Sequence, residues 1–325
     1  MGLDPKNYDP AMMQGAKISP DVIAGMVGLP YVGDIFYIDP NSGSDTANNG
    51  TSFDNAFATV YAAQAALTAG QHDVAIIAPS GGTGRTAETQ AIAWNKRFTH
   101  LIGNGAPTAQ DVRSGLSFGI GGSITISENG CVFKAITFNG TADINVPVTL
   151  SGHYNAFLGV DFKGSLNDTT GDDTAARALY INGGQENRFG ACTFGSDTIM
   201  RSAANATIEF ASAASRNVFE DSRFIAAIDA ATPVHVKFTG ISAIDRWIEF
   251  KNTSFYSFSA NNATAMTACM NLSAQTATGH VLLTGNTCMM GGITDWEATA
   301  SGRIYMQPFT ATANAIGIAI NPTVS

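Results

Sequence analysis

The chain has 325 residues, 45% of them hydrophobic and only 13% charged, with 34 glycines and a formal net charge of −9 at pH 7. Soluble domains ordinarily carry about 25% charged residues, so solvation here falls to Asn, Thr and Ser or to contacts with other subunits. An acidic balance without any cluster of Lys and Arg excludes nucleic acid as an expected partner, and no apolar run reaches the 18 or so residues that cross a bilayer.

In residues 1–33, prolines and glycines recur among Tyr8, Met12, Met13, Ile18, Ile23, Met26 and Leu29. Breakers at that density prevent a core, so the segment reads as an extended arm with a short helix from Asp21 to Val27, opened by Pro20. Such an arm is expected to bury those seven apolar side chains in a partner. The start, Met1 to Lys6, carries neither the basic flank nor the apolar run of a secretory leader, which predicts a product made in the cytosol. Residues 35–38 (Ile-Phe-Tyr-Ile) then read as a strand, followed by a turn-rich stretch through Gly50. Over 54–69 the spacing of Phe57, Val60, Tyr61, Gln64 and Leu67 predicts a helix capped by Asp54. Strands are expected at 73–79 and 99–105. The loop Gly81-Gly-Thr-Gly-Arg85 has no following Lys-Ser or Lys-Thr pair, which argues against a phosphate cradle.

From about residue 120 the chain repeats an aromatic, four residues, then a second aromatic. The copies are Phe133 and Phe138, Phe157 and Phe162, Phe189 and Phe194, Phe219 and Phe224, Phe250 and Phe255, with a weaker copy at Leu283 and Cys288. Asn155, Asn187 and Asn217 each lie two residues ahead of the first Phe, and an alternating apolar strand such as Ile124–Ile126 or Ile208–Phe210 precedes every copy. Repeats of some 24 to 33 residues built from short strands, without helices between them, are the pattern of β-solenoid coils. A spacing of five sends two side chains to opposite faces of a straight strand, so both Phe point inward only if a corner lies between them. The ten rings are therefore expected to form core ladders.

Tyr37-Ile-Asp-Pro40 followed by Gly43-Ser-Asp45, Gly50 and Ala56-Phe-Ala-Thr-Val60 resembles the N-terminal start of pectate-lyase-like right-handed β-helix proteins, where a helix caps the open end. The resemblance implies an all-β fold: a single right-handed parallel β-helix with a capping helix at 54–69. The domain expectation is an arm at 1–33, the start of the helix at 34–105, coils at 106–303 and a C-terminal strand region at 304–325. The family includes lyases, hydrolases, adhesins and bacteriophage tailspikes and virion proteins.

Chemistry is sparse. Asp172, Asp173, His280 and Arg303 follow the order of a polygalacturonase-like site, yet Asp173 and His280 are more than three coils apart at about 4.8 Å per coil. His153, His235 and His280 have no nucleophile or carboxylate at a recognisable spacing. The widely spaced Cys131, Cys192, Cys269 and Cys288 are expected as buried thiols rather than metal ligands. No cofactor or metal is expected. The resulting expectation is a non-enzymatic bacteriophage virion protein: a homotrimeric capsid decoration or cement protein partnered by the major capsid protein or another virion protein. The alternative is a tailspike or tail fibre that binds or cleaves a host surface polysaccharide.

Overall fold

The computed structural model describes residues 19–80, 84–106, 108, 110, 112–260, 263–276, 278–298, 300–306 and 318–319. Three sheets form a solenoid, and each coil between Val74 and Glu297 contributes one strand to each. One coil supplies Ala156–Leu158 to sheet A, Asp161–Ser165 to sheet B and Leu179–Asn182 to sheet C. Sheet A has eleven strands and sheets B and C eight each. All described pairings are parallel except the last, where Ile304–Met306 meets Ile318–Ala319 antiparallel. This is a right-handed parallel β-helix.

Register follows the repeat. In sheet A, Phe133, Phe157, Phe189, Phe219, Phe250 and Leu283 pair in succession. Their rings stack at centroid distances of 5.0, 4.8, 4.5 and 4.9 Å from Phe133 to Phe250. Sheet B carries a second column of Phe138, Phe162, Phe194, Phe224 and Phe255, stacked at 5.4, 5.1, 4.8 and 4.6 Å. The columns meet edge to face, as where Phe157 abuts Phe162 at 5.5 Å. Offset stacks within a column and T-contacts between columns are both favoured by the ring quadrupole.

The corner between the two Phe is one left-handed residue, two positions after the first ring: Ala135, Gly159, Ala191, Asp221, Asn252 and Gly285, with φ between 50° and 62°. Non-glycine residues pay about 1 kcal/mol or more for this conformation, and stacking of both rings offsets that cost. At the last copy the corner is one residue longer. Met289, not Cys288, therefore pairs with Phe255, and Cys288 is exposed while the other three thiols are buried. The expected pairing of Leu283 with Cys288, and of a buried Cys288, is corrected accordingly.

The capping helix is shorter than its periodicity predicts. Phe57 is held extended by a bridge to Ile38, its N–H donating to the Tyr37 carbonyl and its own carbonyl accepting from Asp39 N–H. The helix α1 at Pro20–Val27 precedes this region, and α2 begins only at Val60 and runs to Ala66. Thr59, rather than Asp54, caps α2, its hydroxyl accepting from Ala62 N–H at 3.1 Å. Lys96 closes the other end by donating to the carbonyls of Gln64, Ala65 and Leu67, a cation at the negative end of the helix. Val60, Ala63 and Leu67 plug the interior.

Helix α1 turns back on its own solenoid. Ile23 and Val27 are buried against Val74, Ile76 and Ile102 on the outer face of sheet A, with Met26 and Leu29 packed alongside. Ile23, Met26 and Leu29 therefore pack on the chain's own sheet, because those first strands present apolar side chains outward as well as inward. Tyr8, Met12, Met13 and Ile18 lie outside the described residues.

Both Phe columns are fully buried, so Phe189→Ala or Phe219→Ala is expected to destabilise the protein by about 3–5 kcal/mol. Chemical denaturation checks this; a change under about 0.5 kcal/mol in both variants would place the rings outside the energetic core.

Candidate functional site

On sheet B, Phe162 points inward, so Asp161 and Lys163 belong to the outer face. The row containing Asp161 reads Arg85, Gly115, Thr137, Asp161, Thr193, Arg223 across successive coils. Asp161 is only 2% exposed. Burial pushes its carboxyl up to about 7, Lys163 and Arg85 opposing the shift and Asp197 adding to it. The Lys163 ammonium is pushed down by burial, with Asp161 opposing. Arg85 is lowered by burial and by the neighbouring Arg113. The result is an acid that still holds a proton near neutrality, two residues from a lysine that gives its proton up more readily. Two such groups on one face are the elements of paired proton transfer.

Beside them, two backbone irregularities open a crevice. The register between Asp161–Ser165 and the preceding coil shifts at Phe162/Gly164. In the next coil, strand Thr193–Arg201 loops out residues 197–199 between Ser196 and Met200. A cavity of about 50 Å³ results, lined by Lys163, Ser165, Thr170, Arg177, Arg201 and Thr207 among others. Arg177 is buried and ion-paired with Glu209, which also accepts from the Thr239 hydroxyl at 2.7 Å. Arg201 donates to Asn205 Oδ1 at 2.6 Å, Thr207 Oγ1 at 3.0 Å and the Val234 carbonyl at 3.1 Å. Burial and the Arg177 charge push Arg201 down to about 9.

The residues singled out from sequence do not assemble. Asp172 binds the Ser202 hydroxyl, and the Asp173 carbonyl accepts from Asn205. His280 is exposed, edge-on to Tyr305 at 4.9 Å, on the strand three beyond Arg188–Gly190 in sheet A. Arg303 donates to the carbonyls of Gly279 and Thr276. His153 Nδ1 accepts the Gln185 N–H. His235 is buried, bonded to Thr207 Oγ1, and pushed down to about 3 by burial and then by Arg201. No group of three or more His, Cys, Asp or Glu side chains is placed to hold a metal among the described residues. Asp161 and Lys163 escaped the sequence reading. Aligning the copies on their second Phe exposes them, since the preceding position reads Thr137, Asp161, Thr193, Arg223 and Ser254.

Because the folded Asp161 binds its proton more tightly than the unfolded chain, whose carboxyl titrates near 3.8, its contribution is fully present below pH 3.8 and is lost as pH rises through about 7. Asp161→Asn is therefore expected to melt higher than the wild type at pH 8, with the difference shrinking on acidification and gone near pH 4. Thermal melts of both proteins at pH 4, 6 and 8 check it; a pH-independent difference would assign Asp161 no titration in this range.

No protein-family model matches the chain, and no curated protein matches it. Among solved structures it resembles the pectate lyase Pel9A, with TM-score 0.50 and 16% identity, over 78% of this chain and 62% of the lyase. The chain thus spans under two thirds of that enzyme's length. It also resembles a pectin methylesterase in complex with a hexasaccharide, with TM-score 0.45 and 15% identity, over 84% and 93% of the two chains. A third likeness is to the Aspergillus niger pectin methylesterase, with TM-score 0.39 and 13% identity, over 86% and 92%. The likeness to the lyase defines the class by architecture, a pectate-lyase-like parallel β-helix. The expectation of a chain that is not an enzyme is corrected to this extent: its fold is shared with an enzyme, the pectate lyase. At such identities the likeness carries architecture and no residue roles.

Proposed function

We propose that this chain is a tailspike-like β-helix of a bacteriophage virion that binds and cleaves a host surface polysaccharide on the outer face of sheet B. The observation that carries the reading is the juxtaposition of Asp161, held partly protonated near neutrality, with Lys163, whose ammonium is destabilised by burial. A carboxyl that holds its proton can donate one, and an amine whose ammonium is destabilised by burial gives its proton up more readily, the kinds of group that proton transfer at a glycosidic bond employs. The elongated fold supports the reading too, since a solenoid offers an extended face to a linear polymer. The virion setting, the homotrimer and a neighbouring capsid or other virion protein belong to the same proposal. The polysaccharide role takes the place of the cement role, which was tied to a chain without catalysis.

The test is incubation of the purified protein with pectin, alginate and bacterial capsular polysaccharides, reading retention on the immobilised polymer and release of reducing or unsaturated ends. Wild type is expected to bind and cleave at least one acidic polymer. Asp161→Asn and Lys163→Met should each lower the rate at least tenfold while preserving the circular dichroism spectrum. Neither retention nor new ends on any polymer would overturn the proposal, as would full activity in both variants.

A further inference from the structure

We propose that the crevice between strand Thr193–Arg201 and the loop 166–178 is a binding site for a single oxyanion group, a sulfate, phosphate or carboxylate, seated on Arg201 and Arg177.

The first argument is charge. Arg177 is neutralised by Glu209, whereas all three bonds made by Arg201 go to neutral acceptors, a side-chain amide, a hydroxyl and a carbonyl. Among the described residues no carboxylate bonds to Arg201. The nearby acids are occupied elsewhere, Asp143 by the Thr170 hydroxyl and Asp172 by the Ser202 hydroxyl. A guanidinium drawn into the fold without a counter-charge is unfavourable unless an anion completes the site.

The second argument is donors. A guanidinium has five N–H groups in a planar fork matched to oxyanions. Arg201 uses three of them on protein acceptors. Arg177 directs Nε to Glu209 and Nη1 to the carbonyls of Thr174 and Ala176, which leaves Nη2 without a protein acceptor among the described residues. Both side chains line the same cavity, as do the hydroxyl-bearing Ser165 and Thr170 and the Lys163 side chain. The third argument is shape. At about 50 Å³ the space suits a compact anionic group and not a sugar ring, and it exists because the two neighbouring strands depart from register at the same level. Lys163 borders this site, but the anion is seated on Arg201 and Arg177, so its binding does not depend on whether the chain cleaves a glycan.

The experiment is titration calorimetry and thermal melting of the full chain with sodium sulfate, phosphate and acetate, each against sodium chloride at matched ionic strength. One site per chain is expected for at least one oxyanion, with a rise in Tm of about 2–4 °C at saturation. Arg201→Met should abolish both effects. Should that variant fail to fold, Ala176→Leu decides, because it fills the crevice without removing a charge and should also abolish the oxyanion effect. A sulfated monosaccharide binding more tightly than free sulfate would identify a glycan substituent as the source, and the reverse order the free ion. Stabilisation matched by chloride, or surviving intact in Ala176→Leu, overturns the proposal.

Discussion

Stacking of phenylalanine rings at the rise of one strand governs the rest of this molecule. Each ring buries about 150–250 Å², and centroid distances of 4.5 to 5.4 Å along both columns match the spacing between neighbouring strands. Every coil must therefore present its rings at the same angular position, and the backbone complies even where it adopts a left-handed conformation at Ala135, Ala191, Asp221 and Asn252. Surface residues inherit that register. Asp161 lies level with Thr137 and Thr193 because Phe162 lies level with Phe138 and Phe194.

A polar ladder accompanies the aromatic ones at the corner leading into sheet A. Asn155 Oδ1 accepts the Cys131 N–H, Asn187 Oδ1 the Asn155 N–H, and Asn217 Oδ1 the Asn187 N–H, at 2.8 to 2.9 Å. The side-chain amides return bonds to the carbonyls of Glu128, Gly152 and Gly184. Buried backbone groups left exposed by a turn have to be paired, and an asparagine in each coil does this for its neighbour. The turn is thus stabilised between coils and not within one, which ties the stack together along its axis.

Against this regular shaft, the charged groups mark where regularity ends. The departures at Phe162/Gly164 and at Ser196/Met200 open the crevice and draw Arg177 and Arg201 into it. Lys163 borders both the crevice and Asp161, so a single side chain connects the cationic pocket with the acid beside it. Bulges next to functional residues are a recurrent use of irregular strand pairing.

What the sequence determined by itself is the solenoid: Phe-x4-Phe recurring at coil length, with Asn two residues ahead, admits few other arrangements because both signals are local and periodic. Local pattern failed where tertiary bonds outweighed it. The apolar spacing of 54–69 is helical, yet Phe57 is held extended by Ile38, and only pairing in space reveals that. Ile23, Met26 and Leu29 read as apolar residues of an arm, and that they pack on the chain's own sheet A is visible only in space, a contact between segments some fifty residues apart. The same holds for chemistry. Asp161 and Lys163 are single polar residues in ordinary strand positions, and their altered protonation arises from burial and from charges on other coils. The charge balance at Arg201 likewise exists only once strands from three coils have closed around it.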